Sequence, residues 1–269
     1  MKKLLLLLII PLLSVGQNDT IKEYFENGKL SIFYICDFNE LGEYDGLYKS
    51  WYPDGDIREE GNYTNGVKNG CWKYYSSSSD KRYREPTGKT EGCYKNGLPE
   101  GVWKEWYWQN SQLESEKNYK NGVLDGVITF WYLDGTMKKK HHFKNGKKHG
   151  LSESFWENGE LYYALHYVHG EPEGECKEYD KNGMLRLSET YVNGKKEGLL
   201  TINYSSGELW NNIYFKNGEK HGSYKVWYKN GQEKFIGMYT DGELKSEKCW
   251  DSFGNKSSCD SVFWGDRPK

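Results

Sequence analysis

The sequence predicts an all-β fold: an elongated, single-layer antiparallel β-meander of about nine β-hairpin repeats, each close to 24 residues long. Three observations lead there. A phrase of Asn-Gly, three residues and a second Gly returns at Gly66 and Gly70, Gly97 and Gly101, Gly122 and Gly126, Gly146 and Gly150, Gly194 and Gly198, and Gly218 and Gly222. His169-Gly170 leading to Gly174 is a variant of it. A further turn pair interrupts the units near their middles, as at Asp54-Gly55, Asp134-Gly135, Asn158-Gly159 and Asn230-Gly231. Between the turns run short stretches rich in rings and β-branched residues, which suit strands and exclude long helices. From Gly122 onward the first glycine falls at 146, 170, 194, 218 and 242. So strict a period means that each unit buries its apolar side against its neighbours only.

The N-terminus stands outside this pattern. Met1-Lys2-Lys3 is a short positive region, Leu4 to Leu13 is apolar, and small residues lead to Gln17. That order predicts a secretory signal over residues 1–16 and an exported chain, periplasmic, cell-surface or extracellular. The apolar run is too short for a membrane span, which needs about 20 residues. The repeat array then occupies residues 17–269. Removing residues 1–16 leaves 35 basic against 39 acidic residues, a net charge of −4 with His neutral. Such a balance offers no basic stripe for phosphates, so no nucleic-acid partner is expected.

Each unit reads as one hairpin. Asn-Gly and Asp-Gly favour tight hairpin turns because those turns need positive φ. Five residues after the second Gly stand Trp51, Tyr75, Trp106, Trp131, Phe155, Tyr179 and Trp227, with Asn203 the exception. Two after the mid-unit Gly stands an aliphatic residue: Ile57, Met137, Leu161, Leu185 and Leu209, with Leu113 in the unit that turns at Asn110-Ser111. These columns form ladders across the sheet, and the seven rings are the candidate binding face wherever they stay exposed. Lys49, Lys73, Lys104, Lys177 and Lys225 share an alternating position expected to face water. One unit is stretched by about seven residues over 76–88, an insertion that projects from one edge.

The hairpin register also pairs cysteines. In the regular unit Leu151 faces His166, and adding the insertion puts Cys71 opposite Cys93. Cys249 and Cys259 flank Ser252-Phe253-Gly254-Asn255 in a capping hairpin over 246–262. Both pairs are expected as disulfides in an oxidising compartment. Cys36 and Cys176 lie about six units apart, too far to bond, and are expected free or partly buried.

Catalytic and metal-binding patterns are missing. His149 and His221 occupy a polar slot before the second Gly, where other units carry Asp45, Asn69, Glu100, Asp125, Glu173 and Glu197. His142 and His166 share a slot in adjacent units, too far apart for one metal, and His141 and His169 show no partner by spacing. No nucleophile elbow or phosphate-cradling loop appears. The expectation is a non-enzyme without cofactor or metal.

The units Asn65-Gly66 to Gly70-Cys71-Trp72-Lys73-Tyr74-Tyr75 and Asn121-Gly122 to Gly126, continuing to Tyr132-Leu133-Asp134-Gly135, resemble the bacterial MORN-repeat variant. So do the copies from Asn145, Asn193 and Asn217. Proteins with such repeats are widely labelled YwqK-type antitoxin components. The resemblance implies a meander of hairpins with a protein-interaction, immunity-like role. Classical MORN repeats imply membrane phospholipid as a further partner. Trp72-Lys73-Tyr74-Tyr75 after a Gly also looks like the repeats of cell-wall choline- and glucan-binding modules, which would make the partner a glycan or a cation held by exposed rings.

Overall fold

The structure, a computed structural model, describes residues 19–38, 43–76 and 87–259. The expected signal peptide, most of the insertion and the last residues of the capping hairpin lie outside the described residues. Those described contain 22 strands and no α-helix, and the strands pair antiparallel with their neighbours in sequence. They fall into two compact units. One comprises residues up to 86 with Cys93–Leu98, the other Thr87–Gly92 with everything from Pro99.

The repeat built from Lys147–Phe155 and Leu161–Val168 shows how the sequence sets the geometry. Ahead of it, Asn145 and Gly146 both have positive φ, 51° and 77°. That is a two-residue turn of the type whose twist matches the strands it joins. The second glycine, Gly150, also has positive φ (104°) and sits in a bulge: Phe143 faces Lys148, whereas His141 faces Ser152. The five-residue phrase therefore encodes a turn followed by a bulge that re-aims the strand.

The mid-unit turn is of another kind, which corrects the reading of both as one tight-turn class. Trp156 N–H donates to the Glu160 carbonyl, Gly159 N–H donates to the Trp156 carbonyl, and of the Asn158-Gly159 pair only Gly159 has positive φ. This is a longer loop that ends on one left-handed glycine. Asp134, Asn158 and Ser206 precede their glycines without positive φ, whereas Asn145, His169 and Asp241 of the inter-repeat turns all have it. The side chain closes the loop on itself: Glu160 N–H donates to Asn158 Oδ1 at 3.1 Å and Thr136 N–H to Asp134 Oδ1 at 2.8 Å.

The cross-strand register pairs the columns read from the sequence. Trp51 faces Ile57, Trp106 faces Leu113, Trp131 faces Met137, Phe155 faces Leu161 and Tyr179 faces Leu185. Leu151 faces His166. The deepest column lies elsewhere, two residues after the second Gly. Tyr48, Trp72, Ile128, Ser152, Cys176, Leu200 and Tyr224 are all buried there. Ring size in this column is matched by glycine on a neighbouring strand. A Cβ on Gly61 would stand 2.2 Å from the Trp72 ring, and one on Gly92 would stand 2.1 Å from the Trp103 ring. Gly237 faces Tyr224 across the pair. These glycines make room for rings, whereas the turn glycines supply φ.

Cys71–Cys93 and Cys249–Cys259 form disulfides, and Cys176 is free and buried.

Candidate binding surface

Successive repeats are joined by three sets of hydrogen bonds that recur at fixed separations. The ring following the candidate aromatic reaches into the next repeat and donates to the backbone carbonyl of that repeat's candidate aromatic. Tyr52 Oη donates to the Tyr75 carbonyl, Tyr107 to Trp131, Tyr132 to Phe155 and Tyr204 to Trp227, each at 2.8 Å. Trp156 Nε1 does the same for Tyr179 at 3.1 Å. Asp180 cannot donate, and there Arg186 Nε takes the Asn203 carbonyl at 3.2 Å instead. The seven candidate rings are half-buried members of this ladder.

The inter-repeat turns stack along one edge. Gly122, Gly146, Gly170, Gly194 and Gly218 donate their N–H groups to Pro99, Leu124, Lys148, Pro172 and Lys196 carbonyls of the preceding repeat. The polar slot before the second Gly completes the stack. Glu100, Asp125, Glu173 and Glu197 accept from the N–H of Asn121, Asn145, Asn193 and Asn217 at 2.7–3.0 Å. His149 fills the same role, its Nδ1 accepting from His169 N–H at 3.4 Å with the two rings 5.2 Å apart. His169 thus has a partner that linear spacing concealed. On the other edge Asn110, Asn158 and Asn230 amides donate to Leu133, Lys181 and Ser252 carbonyls.

Lysines two residues after the first Gly cover the rings. Lys148 Nζ lies 4.8 Å from the Tyr167 ring, Lys196 5.5 Å from Phe215 and Lys220 5.1 Å from Tyr224. Lys68 is the extreme case, 3.8 Å from Trp72 and 4.8 Å from Tyr74, with Glu59 Oε2 at 3.0 Å. A cation of the chain itself already occupies the position that a choline-type ligand would take. The lysines expected to face water pair with acids: Lys49 with Glu60 at 2.8 Å and Lys177 with Glu175 at 2.9 Å.

Buried charge is confined and paired. Glu189 accepts from Lys196 at 2.6 Å and from Tyr191 at 2.8 Å. Burial, then the Glu189 charge, push the nearby Cys176 thiol up to about 11. A thiol held protonated in this way is unreactive. Burial also pushes His141 down to about 4, assisted by the charges of Lys148 and Lys139. Among the described residues no cluster of three or more His, Cys, Asp or Glu side chains could hold a metal.

The opposite face of the sheet differs. One residue after the second Gly and across from it, apolar side chains stand in solvent: Val102, Leu151 facing His166, Leu199 facing Tyr214, and Met238 facing Ser223. Strand alternation makes the contrast sharp, since Leu199 is exposed and Leu200 buried. Nothing in the residue types of these aliphatic positions sets them apart in the sequence.

Fold and surface together define a hairpin-repeat scaffold. The repeats can be placed further. Residues 44–65, 99–121, 124–145, 148–169 and 172–193 each match the MORN repeat variant model. MORN repeats are protein- or membrane-interaction modules, and scaffolds of this kind are generally non-catalytic. No curated protein matches the chain. Among solved structures, a chain of the TcdB2-TccC3-Cdc42 crystal structure aligns at 10% identity, with 88% of this chain and 15% of that one covered and a TM-score of 0.20. A chain of TcdB2-TccC3 aligns at 11% identity with the same coverage and a TM-score of 0.21. The present chain therefore spans under a sixth of either, and likenesses this slight carry no argument about fold or function.

Proposed function

We propose that this protein is an exported, non-catalytic repeat scaffold that binds another protein through the face bearing Val102, Leu151, Leu199, Tyr214 and Met238. The observation that carries the reading is the exposure of those apolar side chains in register columns, while the rings on the other face are tied into the inter-repeat ladder. Apolar side chains left in solvent at matching register positions offer area that a protein partner could cover. Two disulfides fit an oxidising compartment and support export. An immunity-like role, in which the partner is a toxic protein, is the finer form of this reading that the resemblance to antitoxin-labelled repeats suggests.

The test is affinity capture from envelope fractions with the wild-type chain and with the Leu151→Lys/Leu199→Lys double variant as baits. The expected result is a protein recovered by the first bait and lost with the second. Recovery by both baits alike would move the interface off this face. Retention on peptidoglycan or a polysaccharide with no protein recovered would replace the reading with glycan binding.

A further inference from the structure

The ringed face is not uniformly filled. In the deepest column Tyr48, Trp72, Trp103 and Tyr224 stand toward the ends of the chain, whereas Ile128 and Ser152 occupy the same position in the middle repeats. A half-open groove of about 600 Å³ lies on the repeats around Ile128. Its walls are Phe130, Trp131, Phe143 and Tyr119, with Leu124 beside them. Volume and lining fall in the range of small-molecule sites, in which a few polar groups orient a largely apolar ligand.

The polar groups are few and mostly positive. Lys117, Lys138 and Lys139 reach the groove against one carboxylate, Glu114. Lys117 is committed, with both Glu105 oxygens at 2.8 Å. Lys138 lies over the Tyr132 ring at 5.2 Å. Lys139 forms no ion pair with any described residue and is exposed. His141 lines the same groove with Nδ1 buried and without a hydrogen-bond partner. A buried, unpaired polar atom is costly unless something completes it. Tyr107 Oη, another lining group, is already bound to the Trp131 carbonyl. A sugar ring would bring many hydroxyls to a wall with few partners left. An apolar body with one anionic head fits the set better: rings and Leu124 around the body, Lys139 on the anion, and His141 as a hydrogen-bonding group beside it.

We propose that this groove is a binding site for a carboxylate carried on an apolar or aromatic body, supplied as a small organic acid or as the free C-terminus of a chain ending in an aromatic residue. The proposal stands apart from the docking reading, since the groove lies on the ringed face.

The test titrates the full, oxidised chain with 3-phenylpropionate, with 3-phenylpropanamide, and with a short peptide ending in Phe as free acid or amide, read by calorimetry and ligand-observed NMR. Saturable binding of either carboxylate, weakened about tenfold in its amide and about tenfold in Lys139→Gln, is expected. Lys104→Gln, which alters a lysine outside the groove, should leave affinity unchanged. The tighter of the two carboxylates identifies the source. Equal binding of acid and amide, no saturation by either carboxylate up to about 10 mM, or unchanged affinity in Lys139→Gln would overturn the proposal.

Discussion

Gly61 gives the sharpest test of how this sheet is packed. It is not a turn glycine, and a methyl group there would lie 2.2, 2.4 and 2.5 Å from three atoms of the Trp72 indole. Trp72 cannot easily retreat. It is fully buried, its Nε1 donates to the Asn62 carbonyl at 3.0 Å, and Lys68 caps its face. The Tyr48 and Tyr63 rings close the remaining sides at centroid distances of 5.6 and 5.1 Å. Forcing the ring aside costs about 1–3 kcal/mol in overpacking, and losing the indole hydrogen bond and the cation–π contact adds about 1 kcal/mol each. Gly61→Ala should therefore lose about 3–5 kcal/mol. Gly70→Ala, with φ of 68° and nothing within 4 Å, should lose only the left-handed backbone strain of about 1–2 kcal/mol. Urea unfolding followed by tryptophan fluorescence measures both. Adding Trp72→Leu to Gly61→Ala should recover part of the loss, a coupling that a double-mutant cycle isolates. A Gly61→Ala variant as stable as wild type, or a cycle with no coupling, would refute the reasoning.

Further outcomes follow from the same structure. His141 titrates at about 4 in the folded chain against an ordinary value near 6.5, so the unfolded chain binds the proton first. Stability should then fall as pH drops from about 6.5 to about 4 and level off below; after discounting for partial exposure the loss is about 1–2 kcal/mol. His141→Leu should flatten that slope in urea midpoints measured against pH. Tyr132→Phe, which removes the donor to the Phe155 carbonyl, should cost about 0.5–1.5 kcal/mol and speed amide exchange in the following repeat. Peptide mapping without reductant should recover Cys71–Cys93 and Cys249–Cys259, and removing either bridge by Ser substitution should cost about 3 kcal/mol. Any other pairing would break the register.

Much of the fold was legible because the turns are written in residue types. The inter-repeat Asn-Gly pairs take positive φ at both positions, and the spacing to the next glycine then fixes which residues face each other, including Leu151 with His166 and Cys71 with Cys93. Contacts between repeats were harder to read. Glu173 to Asn193 and His149 to His169 are 20 residues apart, and Tyr132 to Phe155 is 23. Such bonds become visible only when one repeat is laid on the next, because a linear scan gives no reason to pair them. Gly61, Gly92 and Gly237 were indistinguishable from turn glycines until the rings over or across from them were placed. The proposed binding surface was the least legible. Rings drew notice as ligand chemistry, yet their hydroxyls, their backbone carbonyls and the lysines above them are engaged within the array. The exposed apolar side chains of the other face are mostly ordinary aliphatic residues, whose availability depends on strand parity, as at Leu199 and Leu200, and on nothing in their chemistry.

The Asn-Gly turns, with His169-Gly170 among them, hold each repeat to the one before it. Native-state amide exchange at Gly122, Gly146, Gly170, Gly194 and Gly218 tests this most directly, since a free turn tip exposes its N–H to water. Stacked turns predict slow exchange at all five, because each donates to a carbonyl of the preceding repeat at 2.8–3.1 Å. Exchange at the rate of unprotected turns would contradict it.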